Sequence, residues 1–184
     1  MSGLSESPRS APGGATSADS FIDRHAPQAP LAVLIASVAT LGIALISQYG
    51  FGLQPCILCI WQRWPYVATS VIALLALALV RSPRLQGILV IAACIVFLFG
   101  AGIAAFHVGV EQHWWAGTAE CVGGGGADTV DALRQQLAGK PIVRCDEAQF
   151  RFLGVSMAGW NFLASLFYAM SSLVFGHALT RRAA

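Results

Sequence analysis

Cys56 and Cys59, with Arg63 four residues after the second, form the stretch of this sequence in which residue types and spacing could do chemistry. A Cys-x-x-Cys pair closes as a small, reducible disulfide and opens to a thiolate, the reactive form of sulfur, which a nearby cation stabilises. If Cys59 begins a helix, Arg63 lies one turn further on the same face. Its guanidinium is then placed to favour a Cys59 thiolate, or negative charge developing on something docked beside it. As a mere staple the pair makes little sense, because so small a ring constrains almost no chain. Zinc is possible in principle, but no further Cys or His with finger-like spacing accompanies the pair, so no metal site is expected.

The other three cysteines are Cys94, Cys121 and Cys145. Cys94 is alone in an apolar run and reads as a small buried hydrophobe. Pairing Cys56 with Cys59 and Cys121 with Cys145 is the simplest choice, although the sequence permits others. As a structural link, a Cys121–Cys145 bond would contribute about 3.5 kcal/mol by loop entropy.

The elements that must position these groups are apolar. Of 184 residues, 56% are apolar and only 11% charged, too few charges to cover a soluble domain, and the net charge of +2 does not suggest nucleic acid. Residues 25–62, 64–80, 85–110 and 152–180 contain no Asp, Glu, Lys or Arg. A helix crosses the hydrocarbon with about 20 apolar residues. The first interval is too long for one crossing and is broken by Gly50, Gly52 and Pro55. The expected spans are therefore about 31–49, 57–80, 85–106 and 155–179. They make an all-α membrane protein, a four-helix transmembrane bundle over 31–180 with a long loop, about 107–154, between the third and fourth helices.

Residues 1–30, rich in Ser, Ala, Gly and Pro, read as a disordered tail. Arg81 and Arg84 between spans two and three, and Arg181 and Arg182 after span four, put that side and both termini in the cytoplasm. The four paired cysteines then face outward, where disulfides persist. Arg63 is close enough to the start of span two to snorkel to the interface. Pro65 costs little in a first helical turn but would otherwise kink the helix beside the cysteines. His107 is expected near the depth of Arg63, and Trp114 and Trp115 mark the boundary with water. Asp128, Thr129 and Asp131 suggest the cap of a short helix ending near Gly139, with Val130, Leu133 and Leu137 on one face.

The segment Gln54-Pro55-Cys56-Ile57-Leu58-Cys59-Ile60-Trp61-Gln62-Arg63 resembles the signature of the bacterial disulfide bond formation protein B (DsbB) family. Four spans, two outward cysteine pairs and the run from Phe152 to Trp160 at the start of span four resemble it too. The likeness covers about residues 30–180. It departs in the Gly123–Gly126 run between the loop cysteines and in Trp61 and Gln62, positions that the family varies. The resemblance implies a quinone-linked thiol oxidase of the bacterial inner membrane, with a periplasmic loop. Cys121–Cys145 would take electrons from a soluble periplasmic dithiol protein, thioredoxin-like and similar to DsbA, with Cys121 forming the mixed disulfide. Electrons would pass to Cys56–Cys59, and from Cys59 to a quinone, ubiquinone or menaquinone, held near Arg63. His107 would donate a hydrogen bond or a proton there, while Glu111 and His113 are weaker candidates. The competing reading is a non-catalytic four-span scaffold with a stapled outer loop, which leaves Cys56, Cys59 and Arg63 unexplained. A carrier passing electrons outward is a third reading, disfavoured because all four cysteines face one way.

Overall fold

The computed structural model describes residues 17–79, 81–121 and 143–182. Helix α1 (Ser17–His25) runs through a 3-10 turn, Ala26–Gln28, into α2 (Ala29–Tyr49). A short α3 (Ile57–Trp61) precedes α4 (Arg63–Leu79), and α5 (Pro83–Glu111) follows the turn holding Arg81. Two-residue strands β1 (Arg151–Phe152) and β2 (Val155–Ser156) lead into α6 (Met157–Arg181).

Three helical runs are long and apolar enough to cross a membrane: Ser17–Tyr49, Pro83–Glu111 and Met157–Arg181. The segment expected as span two is divided instead. Pro65 has no N–H to return to the carbonyl of Trp61, so the helix is interrupted at Gln62. The 17 residues of α4 reach only about 26 Å at 1.5 Å each. Helix α5 overruns its expected end at 106 and carries His107 and Glu111 in its last turns.

Part of the expected disordered tail is helical. Within α1, Asp19 near the start and Arg24 and His25 near the end suit the helix dipole, and Ile22 packs against the core. Residues 1–16 lie outside the described residues, as does the expected helix ending near Gly139.

Packing is inverted relative to a soluble bundle. Ser37, Thr69, Ser165 and Ser172 are buried, whereas Ile35, Val38, Ile43, Ile95, Phe99 and Phe167 point outward. Apolar side chains turned outward fit a lipid environment, in which polar groups must find partners inside. Ser37 and Thr69 share a hydrogen bond of 2.7 Å between α2 and α4. Phe97 anchors the core with its ring 6.0 Å from Tyr66 and 5.5 Å from Tyr168. Cys94 is buried in that cluster. The most extensive helix pair is α5 with α6, which touch where Gly87 meets Gly176. A Cβ on Gly87 would sit 2.7 Å from the Gly176 carbonyl oxygen.

The β1–β2 hairpin turns through Leu153 (φ 52°) and Gly154 (φ 80°), with Phe152 opposite Val155. Two left-handed residues in succession match a type I′ turn. Beyond it, Ser156 caps α6 by accepting from Gly159 N–H at 3.1 Å, and Trp160 Nε1 donates to the Phe152 carbonyl at 3.0 Å.

Candidate redox site

Cys56 occupies the N-cap of α3 in extended conformation, and its sulfur accepts from the Cys59 backbone N–H at 3.3 Å. A thiolate here takes the place of the oxygen that normally caps a helix. One turn of α3 brings Cys59 round so that the two sulfurs, both free, lie 3.0 Å apart in hydrogen-bond contact. From α5, His107 brings Nε2 to 3.5 Å from the Cys56 sulfur. The Cys59 hydrogen bond holds the Cys56 thiol below the ordinary thiol range; burial opposes this, and His107 adds to it.

His107 is itself oriented. Its Nδ1 meets Gln62 Nε2 at 2.9 Å, and Gln62 Oε1 accepts from Asn161 Nδ2 at 2.7 Å. Asn161 Oδ1 accepts from the Tyr66 hydroxyl, which in turn accepts from Ser165 at 2.8 Å. Each amide is used at both ends, so all the bonds of the chain run in one sense. The Gln62 amide donates to Nδ1, which leaves the proton on Nε2, facing the Cys56 sulfur. Gln62 and His107 are both buried. One turn beyond His107, the buried Glu111 brings Oε1 to 3.9 Å from Nε2.

The pair opens onto a cavity of about 390 Å³ between α2, α4, α5 and α6. Its walls include Leu41, Ile43, Ala44, Phe152 and Trp160, and its polar lining includes Cys59, Arg63 and His107. Arg63 is placed differently from the sequence expectation. Across the interruption at Gln62 its Nη1 donates to Gln48 of α2 at 2.7 Å, and the thiolate character falls on Cys56 rather than Cys59. Arg63 and Cys59 nevertheless line the same cavity.

On the other side of the pair, Cys121 and Cys145 are bonded, with Cα atoms 5.1 Å apart. They pack with Cys56, Leu58 and Val110 in one buried cluster, which Cys59 also touches. Trp115 lies across Gly109, where any Cβ would collide with its ring. His113, with φ 59°, is exposed and faces Asp146 at 3.9 Å, away from the pair. Asp146 is paired with Arg144, whose guanidinium hydrogen bond lowers the carboxyl to about 2.

The structure thus gathers Cys56, Cys59 and His107, with Arg63 on the same cavity wall and the second pair packed behind. Sequence reasoning missed Gln62, Asn161, Tyr66, Gln48 and the closeness of Glu111. The available signal was an uncharged polar group inside an apolar span, which has to find a partner there.

A family model described as "Disulfide bond formation protein DsbB" matches residues 26–175. A protein of Polaromonas sp. named disulfide bond formation protein B is 29% identical, over 82% of this chain and 90% of its own. One from Acidovorax sp. with the same name is 30% identical, over 81% and 87%. An uncharacterized protein of Rickettsia prowazekii is 27% identical, over 74% and 79%. No solved structure matches.

Proposed function

The chain belongs to the disulfide bond formation protein B family, and on that premise we propose that it is a thiol oxidase passing electrons from a periplasmic dithiol protein to a membrane quinone. At the coarser level it is a multi-pass inner-membrane protein of disulfide bond formation. The finer reading has four spans, with α3 and α4 together forming the second, both termini cytoplasmic and the four paired cysteines periplasmic. The observation that carries it is the position of Cys56 and Cys59, packed against the Cys121–Cys145 bond on one side and open to an apolar cavity on the other.

In the first exchange the partner's two thiols become a disulfide and Cys121–Cys145 becomes two thiols, the Cys121 sulfur forming the mixed disulfide. In the second, that dithiol is reoxidised as Cys56–Cys59 is reduced. Closing the Cys56–Cys59 bond then releases two electrons and the Cys59 proton. The cavity suits a quinone, since its volume and apolar walls are those of a small-molecule pocket with a few converging polar groups. A quinone bound there would supply the two-electron acceptor. Arg63, steadied by Gln48, contributes a fixed positive charge at that wall. His107 holds the Cys56 sulfur by its Nε2 proton, and the apolar walls exclude water from the thiols.

The test combines purified protein, a reduced thioredoxin-like dithiol protein and ubiquinone or menaquinone, with quinone absorbance as the readout. Quinone should be consumed in step with partner oxidation. Cys121→Ser should abolish that turnover yet leave quinone reduction driven by a small thiol, and Cys59→Ser should abolish both. Absence of thiol-dependent quinone loss in the unsubstituted protein would return the chain to the scaffold reading.

A further inference from the structure

Residue spacing alone offers no reason to expect a metal, yet the fold brings three metal donors to one point. Sγ of Cys56, Sγ of Cys59 and Nε2 of His107 all lie within 4.8 Å of one another. Around tetrahedral zinc, with Zn–S about 2.3 Å and Zn–N about 2.0–2.1 Å, such atoms stand roughly 3.5–3.8 Å apart. The sulfurs are 3.0 Å apart and Cys56 to Nε2 is 3.5 Å, so a small opening of the pair admits an ion.

A second observation points independently to a ligand. Glu111 is 7% exposed and lines the same cavity, and its Oε2 is buried without a hydrogen-bond partner among the described residues. A buried carboxylate oxygen left unpaired is costly unless a cation answers it. Its Oε1 is 3.9 Å from the His107 nitrogen that completes the trio, which places a carboxylate beside that histidine, outside the tight group that the two sulfurs and the imidazole form.

We propose that the reduced Cys56–Cys59 pair and His107 bind a divalent cation of the zinc type, with the Glu111 carboxylate beside His107 answering its charge. The site exists only in the reduced state, because a disulfide leaves neither sulfur as a thiolate ligand. Both sulfurs bind as thiolates, and the Cys59 proton leaves for solvent. Ligation requires a lone pair on Nε2, so the imidazole proton moves to Nδ1. The hydrogen-bond chain accepts this: the amides of Gln62 and Asn161 each turn over, and Tyr66 then donates to Ser165. Every bond survives with its direction reversed. Gln62 is thereby a positioning residue for the metal. An ion held here withdraws both thiols from exchange and halts reoxidation of the pair.

The experiment needs neither quinone nor partner, so its outcome is separate from that of the oxidase reading. The full-length Cys121→Ser/Cys145→Ser protein, reduced in detergent, is titrated with Zn²⁺ against a chromophoric chelator, and with Co²⁺ as an optical probe. One ion per chain is expected, with thiolate-to-cobalt charge-transfer bands and the visible bands of tetrahedral cobalt. Oxidising the Cys56–Cys59 pair should abolish binding. Gln62→Ala should weaken it about 10–100-fold, the usual cost of losing a group that orients a metal-bound histidine. His107→Ala and Glu111→Gln should each weaken it by at least as much. Equal affinity in His107→Ala and Glu111→Gln would mean chelation by the dithiol alone and would overturn the site. In the unsubstituted reduced chain, Zn²⁺ should shield Cys56 and Cys59 from alkylation, read by mass spectrometry. Failure to do so overturns the proposal even if the double variant does not fold.

Discussion

At Cys56 three groups meet one sulfur: the Cys59 thiol, the Cys59 backbone N–H and His107 Nε2. The charged form is thereby favoured, with the Cys59 hydrogen bond the largest cause. A thiol whose pKa is lowered stays ionised as pH falls, until the folded-state value is reached. Thiolate ultraviolet absorbance of the reduced protein should therefore persist well below pH 7, whereas an ordinary thiol is lost near pH 8.5. His107→Phe should move its loss toward higher pH. Absence of any thiolate signal below pH 7 in the reduced protein would remove this account of Cys56. Arg63 is the other test at this scale. Arg63→Lys keeps the charge but loses the planar fork that meets Gln48, so an intermediate rise in the apparent KM for quinone is expected, with a larger one for Arg63→Ala. Quinone kinetics of Arg63→Ala matching the unsubstituted protein would leave the arginine only an anchoring role. The cysteines, Arg63 and His107 could be read from sequence because their chemistry is carried by residue type. Gln62 and Asn161 could not, because their roles exist only once 99 residues of separation are closed by one hydrogen bond.

Among the elements, glycine separates close helix contact from open surface. At Gly87 a Cβ would meet the Gly176 carbonyl oxygen and the Thr180 backbone nitrogen, at 2.7 and 2.9 Å, whereas at Gly102 nothing lies within 4 Å. Small residues at such crossings let transmembrane helices approach closely. Gly87→Ala should destabilise by about 1–3 kcal/mol, as overpacking does. Gly102→Ala should be neutral or stabilising by up to about 1 kcal/mol, through helix propensity. Denaturation in mixed micelles compares them, and equal behaviour would mean that the α5–α6 contact is loose. Long helices were legible because charge-free runs mark them directly. The interruption at Gln62 was less so, since Pro65 permits either a first-turn position or a break, and the lost bond at Trp61 decides it. Helix α1 was hidden by its Ser and Ala content, its stability depending on Ile22 reaching a core that composition does not reveal.

Taken whole, the molecule exposes apolar side chains and hides polar ones, as a bundle solvated by lipid must. Its arginines at Arg81, Arg84, Arg181 and Arg182 flank one set of helix ends, and the cysteine pairs lie toward the other. The proposed orientation follows from the preference of Lys and Arg for the cytoplasm. After reduction of intact cells, a membrane-impermeant maleimide should label Cys121 and Cys145. Labelling only in inverted vesicles would turn the molecule over and separate its thiols from any periplasmic partner.

The hydrogen-bond chain from Cys56 to Ser165 passes through two carboxamides, Gln62 and Asn161. A carboxamide can rotate to reverse its polarity, but it gives up an N–H proton only with great difficulty. Beyond Ser165 lies the apolar core around Phe97. Along this chain the bundle is therefore expected to insulate, transmitting orientation inward without carrying protons. If the proposed oxidase reaction runs here, protons set free at the thiols leave by the face at which they arose. Liposomes containing the protein, loaded with a pH-sensitive dye and clamped with valinomycin, should take up protons no faster than protein-free liposomes during thiol oxidation. A leak that vanished in Asn161→Leu would show that the amides conduct after all.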